Sequence, residues 1–200
     1  MSAAPNEDGL AFNSEAHAYT WNGFRVPSVT QVLSVCNDLT FINPARLEAA
    51  RDFGHNVHLM TDLFDRGELD EATLDLNLLP YLTAYKQFLF DTHFTVETSE
   101  ERLFHPTLLY AGTSDKRGKL RKASAVLDIK SGVFMPAYVG AQTAGYQQLV
   151  IGMKPKRRLC LQLMLNRYKL HSLTDPADWP FFVSCLNLWQ YLNRRKLHHD

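Results

Sequence analysis

Two hundred residues, 46% of them hydrophobic and 12% aromatic, suffice for one packed domain and are too apolar for a disordered chain. Lysine plus arginine equals aspartate plus glutamate at 21 each, so the formal net charge is zero and any polyanion-binding surface must be local. The three cysteines, Cys36, Cys160 and Cys185, are scattered with no C-x-x-C. That pattern fits free thiols in a reducing compartment and argues against an iron–sulfur cluster held by this chain alone.

The chain in order starts with a loose leader over residues 1–9. It has the features of neither a secretory signal nor an Arg-rich transit peptide. No apolar run reaches membrane-spanning length, so the expectation is a soluble, cytoplasmic protein with no membrane partner. Phe12 to Val26 reads as a hairpin turning at Asn22-Gly23, a dipeptide suited to two successive positive φ angles. Ser28-Val29-Thr30-Gln31 has the S-x-x-Q form of a helix capping box. Asn43-Pro44 opens a longer helix that stops near Gly67, with Asn as cap and Pro in the first turn. Gly54 inside it costs about 1 kcal/mol relative to alanine, which suggests close approach of another element or a ligand. His58 follows one turn later on the same face.

Asp70 to His93 reads as a further helix, capped by Asp70 and interrupted near Pro80. Three strand-like runs follow, at about 94–105, 107–114 and 123–131. A helix is expected from Pro136 to Gly152, a strand from Arg158 to Leu170 turning near Asn166, and a last helix from Asp175-Pro176 onward. The aromatics of that helix, Trp179, Phe181, Phe182 and Trp189, read as core. The expected fold is α/β: one domain over 1–200, with a hairpin and helical part over 1–93 and a β-β-β-α-β-α core of about four strands over 94–200.

The chemistry concentrates between residues 97 and 146. In Ala125-Val126-Leu127-Asp128-Ile129-Lys130 the apolar and charged residues alternate, so Asp128 and Lys130 project from one strand face and Leu127 and Ile129 from the other. Asp115 closes the preceding apolar run. A basic, Gly-containing loop, KRGKLRK, is expected between the two runs, and a hairpin folding at it brings Asp115 beside Asp128. Two carboxylates and a lysine on adjacent strands suit a hard divalent cation, which takes oxygen ligands. Such a cation lowers the pKa of a water and neutralises charge on a phosphodiester, and Lys130 would stabilise the developing negative charge. His55 and His58 at i, i+3 could share zinc, but no other Cys or His group has zinc-ligand spacing.

Taken together, GTSD at 112–115, LDIKSG at 127–132, Q-x-x-x-Y at Gln142/Tyr146 and G-x-x-x-H at Gly54/His58 resemble the PD-(D/E)XK nuclease superfamily. The branch they resemble is the RecB-type one that includes phage-encoded exonucleases. The opening FNSEAHAYTWNGFRVPSVTQVL is similar to the lead-in of those phage enzymes, and the resemblance runs from about residue 12 to 195. Ser114 stands where the motif's name has proline.

The resemblance implies a restriction-endonuclease-like core and Mg2+- or Mn2+-dependent hydrolysis of DNA. It implies Asp115 and Asp128 as metal-binding acids, Lys130 as the catalytic lysine, and His58 as a further metal ligand. Gln142 and Tyr146 match the helix motif that contacts DNA and steadies the site. An upstream glutamate is also expected. Glu100 and Glu101 both qualify on opposite strand faces, and Glu100 is favoured. The basic stretch Lys116, Arg117, Lys119, Arg121 and Lys122 would grip phosphates, and Lys154, Lys156, Arg157 and Arg158 form a second cluster, both expected to flank the metal. Arg194, Arg195 and Lys196, with His198 and His199, read as solvated. The implied role is an exonuclease in recombination, repair or phage DNA processing, in a bacterial or phage-infected cell, with a single-strand-annealing or recombination protein as a possible partner. A structure-selective or nicking endonuclease, and an idle nucleic-acid-binding member of the fold, are the alternatives.

Overall fold

The computed structural model describes residues 9–14, 16–36, 43–132 and 135–193. The expected leader, apart from Gly9, and the expected C-terminal cluster of Arg194, Arg195, Lys196, His198 and His199 lie outside the described residues.

The expected N-terminal hairpin carries an extra strand. β1 (Leu10–Asn13), β2 (Ala18–Trp21) and β3 (Phe24–Val26) form an antiparallel sheet in that order. Asn22 and Gly23 take φ of +49° and +85°, as the two-residue turn requires. α1 (Val29–Leu33) has the expected capping box: Gln31 N–H donates to Ser28 Oγ at 3.0 Å, and Ser28 N–H donates to Gln31 Oε1 at 3.1 Å. α2 (Pro44–Asp65) starts where Asn43 Oδ1 accepts from the N–H groups of Ala45 and Arg46.

The next helix is shorter than expected. α3 spans Leu79–Thr92, and Pro80 lies in its first turn, where a missing N–H leaves no hydrogen bond unmade. Asp70 caps only a turn, accepting from Ala72 N–H at 3.0 Å, and Asp75 does the same for Asn77 at 2.8 Å.

The second sheet contains β4 (Thr95–His105), β5 (Tyr110–Leu120), β6 (Ala123–Ser131), β7 (Arg157–Met164) and β8 (Arg167–Ser172), ordered β4-β5-β6-β7-β8. All neighbours are antiparallel except β6 and β7, which run parallel across the crossover helix α4 (Val139–Leu149). The sheet has five strands rather than four because Asn166, at φ +53°, turns the last strand back on itself.

The stretch KRGKLRK also corrects its expectation as a loop. Lys116 to Leu120 continue β5, and only Arg121 and Lys122, at φ +49° and +70°, form the turn. Gly118 mimics a turn residue but serves the strand. A Cβ there would sit 2.0 Å from the Thr95 carbonyl oxygen and 3.0 Å from the Phe94 ring.

Helices cover both sheet faces. Leu127, Ile129, Leu159, Leu161 and Leu163 pack against Val57 and Met60 of α2 and Leu82, Tyr85 and Phe88 of α3. Val126 and Tyr110 face α1, α4 and α5 (Asp178–Asn193), with Phe182 and Leu186 of α5 in that core. Each such side chain stabilises the fold by roughly 1.5–3 kcal/mol when fully buried. The result is a mixed α/β fold, as expected, and Asp128 and Lys130 share the Val126 side of β6. No helix of the described residues is long and apolar enough to cross a membrane.

Candidate active site

β5 and β6 pair from Leu120↔Ala123 to Lys116↔Leu127 and then part. The next residue on each strand is an acid, Asp115 and Asp128. Beyond the last pair, Ile129 N–H donates to Asp115 Oδ2 at 2.6 Å, so the carboxylate bridges the opening strands. The early part of β5 remains paired with β4 and touches the N-terminal part through Ala111 N–H, which donates to the Pro27 carbonyl at 2.8 Å.

Two further elements reach this opening. From α2, His58 Nδ1 lies 3.4 Å from Asp115 Oδ1 and 3.7 Å from Glu100 Oε1. From β4, Glu100 breaks the strand geometry, with φ at +49°, and drops out of the register between Ser99↔Lys116 and Glu101↔Ser114. A non-glycine residue in the left-handed region costs on the order of 1–3 kcal/mol and persists where its surroundings over-determine it. Here it accompanies a carboxylate placed beside His58. Glu101 is committed elsewhere, to Arg117, whose Nη2–H donates to its Oε1 at 2.7 Å.

One ligand-capable atom from each of His58, Glu100 and Asp115 lies within 4.8 Å of the other two. Glu100 Oε1 is buried and accepts no hydrogen bond from the described residues. One imidazole nitrogen and carboxylate oxygens, one of them unsatisfied, fit a divalent cation. The expected metal-binding acids are Asp115 and Asp128, beside His58. In the structure Glu100 lies with His58 and Asp115, while Asp128 pairs with Lys130, whose Nζ lies 2.8 Å from its Oδ2 and 3.0 Å from its Oδ1. His55 is exposed and outside the group, so nothing here brings two histidines together for zinc.

The charges are strongly coupled. Burial works against a proton on His58, but the charge of Asp115 and the close approach of the Asp115 and Glu100 carboxylates outweigh it and raise its pKa to about 10. The imidazolium therefore answers the two carboxylates in the metal-free protein. Burial would push the Asp115 carboxyl up, but His58 and then Lys130 hold it below its ordinary value. Burial likewise disfavours charge on Lys130, yet Asp128 and Asp115 keep its pKa above that of a free lysine. Burial, with the charge of Asp115 added, pushes Asp128 up against the pull of Lys130.

Gln142 and Tyr146 back the site from α4, with Gln142 Nε2 donating to the Tyr146 hydroxyl at 3.4 Å. Burial, then the charges of Asp115 and Asp128, raise the tyrosine's pKa. Gln142 Oε1 has no hydrogen-bond partner among the described residues. Both side chains are buried, at 4% and 6% exposure, and offer almost no surface to DNA. Gly112 makes room for Tyr146, because a Cβ there would lie 2.9 Å from the ring. Gly54 makes no comparable room: a Cβ would meet Ser131 Oγ at an ordinary 3.6 Å.

The basic residues divide. Lys116 is fully buried against Asp65 and cannot reach a phosphate, which corrects its assignment as a DNA contact. Arg117 pairs with Glu101, and Lys119 Nζ pairs with Glu97 at 2.6 Å. Arg121 and Lys122 are exposed at the turn. Ala123, next to that turn, is already five residues before Asp128 along β6, about 16 Å at roughly 3.3 Å per residue. The second cluster does not flank the opening either. Arg157 pairs in register with Ala125, and Arg158 is held by Asp178 at 2.7 Å and by the carbonyls of Gly140 and Asp175. Lys154 is bound to Gln148.

Sequence reasoning missed three neighbours. Cys160 is opposite Asp128 in the parallel register, with Sγ 3.8 Å from Oδ2. Its alternation with Leu159 and Leu161 was a usable signal. Asp65 and Ser99, both partners of Lys116, gave no signal, since each contact spans distant parts of the chain.

No family model matches the chain, and no curated protein matches it. Among solved structures it is similar to an alkaline exonuclease (LHK-Exo) from Laribacter hongkongensis, at 13% identity and a TM-score of 0.49 over 86% of this chain and 89% of that one. It is also similar to LHK-Exo in complex with dAMP, at 14% identity and a TM-score of 0.41 over 86% and 93% of the two chains. A third likeness is to SSO0001, at 13% identity and a TM-score of 0.41 over 82% and 75%. At these levels the function rests on the chain's own residues.

Proposed function

We propose that the protein is a divalent-metal-dependent deoxyribonuclease with a restriction-endonuclease-like core, one domain over residues 1–200, acting as an exonuclease in DNA recombination, repair or phage DNA processing. One observation carries this reading. His58, Glu100 and Asp115 converge where β5 and β6 part, beside the Lys130–Asp128 pair. Mg2+ or Mn2+ held by those three residues would supply positive charge against a phosphodiester and acidify a water.

The chain's own groups divide the remaining work. His58 would hold the cation as a neutral imidazole, its proton released to solvent. Lys130, with its pKa held high, stays an ammonium at neutral pH, so it donates hydrogen bonds to developing negative charge rather than removing a proton. Asp128 fixes that ammonium through both carboxylate oxygens. Gln142 and Tyr146 hold the wall behind the acids. Of the two basic clusters, Arg121, Lys122, Lys156 and Arg157 are exposed and would meet DNA beyond the site. DNA as substrate, and cutting from ends, follow the sequence resemblance.

Digestion of end-labelled linear and closed circular DNA, single- and double-stranded, with Mg2+ or Mn2+ tests this, with Lys130→Ala alongside. Degradation of linear DNA alone, lost in the variant, is the expected result, and the label gives the polarity. Cutting of circles moves the assignment to an endonuclease. Binding without cutting under any metal contradicts the enzyme reading.

A further inference from the structure

Resting on the metal-centre reading, we infer that the buried Lys116–Asp65 ion pair is a positioning clamp that sets the geometry of the three ligands. Lys116 Nζ lies 2.7 Å from Asp65 Oδ2, and the two side chains are 0% and 7% exposed. The same ammonium donates to Ser99 Oγ at 2.6 Å. The Tyr85 hydroxyl reaches both oxygens of Asp65, at 2.9 and 2.8 Å.

Each member of this network sits on a ligand-bearing element. Lys116 follows Asp115 on β5, and Ser99 precedes Glu100 on β4. Asp65 comes seven residues after His58 on α2, two helical turns along nearly the same face. One ammonium therefore ties together the three elements that converge on the metal centre. It cannot act on the substrate itself, because it is sealed and shares the Leu127 side of the sheet, away from Lys130.

Stability alone does not call for such a pair. A buried ion pair is often matched or bettered by apolar residues of similar volume. Apolar contacts hold elements together but specify direction poorly, whereas charge-assisted hydrogen bonds fix distance and angle. The site needs that direction most at Glu100, whose backbone is held at φ +49° next to the anchored Ser99.

The test compares wild type, the Lys116→Met/Asp65→Leu double variant and Ser99→Ala. The readouts are Mn2+ affinity by electron paramagnetic resonance and crystal structures of the metal-free proteins. The double variant removes both charges together and leaves only the buried Tyr85 hydroxyl without its acceptor, so its melting temperature falls by several degrees but the protein stays folded. Its Mn2+ affinity falls by about tenfold or more, the range seen when residues supporting metal ligands are removed. Its His58, Glu100 and Asp115 atoms spread apart, and Ser99→Ala shows the same changes to a smaller degree. Wild-type affinity with an unchanged ligand cluster in the double variant overturns the clamp. If the double variant does not fold, Ser99→Ala decides by the same two readouts. If wild type binds no Mn2+, the proposed function fails, and the metal-free structures alone judge the clamp.

Discussion

Two lysine–aspartate pairs sit on opposite sides of one sheet, and almost nothing in their own geometry distinguishes them. Lys130 lies 2.8 Å from Asp128 and Lys116 lies 2.7 Å from Asp65. What differs is access. The Lys130 side chain is 23% exposed in an opening where Glu100 Oε1 accepts no hydrogen bond from the described residues, whereas Lys116 is fully enclosed and its named partners are all internal. A buried charge becomes chemistry where the surroundings leave room and an unmet demand, and architecture where they do not.

The largest expected effect separates the two lysines. Lys116→Ala leaves Asp65 charged and unpaired in the core and costs about 3–5 kcal/mol of stability, read by chemical denaturation. Lys130→Ala costs less, because the Asp128 carboxyl, already pushed up by burial, takes a proton instead. It lowers DNA cleavage by about 100- to 1,000-fold, as loss of a donor to developing charge does. Equal stability losses in the two variants would erase the distinction.

Metal loading should act on the opening side only. At a Mg2+ or Mn2+ concentration a hundred times the dissociation constant, wild type gains about 2.7 kcal/mol. Asp115→Asn should lose that rise in melting temperature, whereas Lys130→Ala keeps it. Gly112→Ala, which drives a methyl to 2.9 Å from the Tyr146 ring, should cost about 1–3 kcal/mol as overpacking does.

His58 makes the metal-free site pH-sensitive in a definite direction. Its folded pKa of about 10 is above the ordinary 6.5. The stabilisation is complete below pH 6.5 and disappears as pH rises through about 10. Metal affinity should move the other way, rising over that window as the competing proton leaves. Melting temperature against pH, with and without Mn2+, measures both, and His58→Gln should flatten both trends. The smallest effect is a gain: Gly54→Ala meets only ordinary contact and should stabilise α2 by about 0.5–1 kcal/mol in thermal melts.

Much of this was legible from local rules. Period two placed Asp128 with Lys130 and against Leu127 and Ile129. The cap at Asn43 set α2, and the Asn22-Gly23 turn set the first sheet. The basic stretch misled because Gly118 carries a turn signal, whereas its role is to admit the Thr95 carbonyl from the neighbouring strand. The choice of Glu100 over Glu101 was only half legible, since it depends on one residue at positive φ and on Arg117 taking Glu101. The Asp65–Lys116–Ser99 network was invisible, because a lysine in a basic run gives no sign that distant partners will enclose it.

The most direct measurement is anomalous diffraction from crystals soaked in Mn2+. A peak bounded by His58, Glu100 and Asp115, beside Lys130, is the predicted result, and Asp115→Asn should remove it. Manganese bound elsewhere, or no peak at saturating Mn2+ with the three side chains still ordered as described, would contradict a metal centre at the parting of β5 and β6.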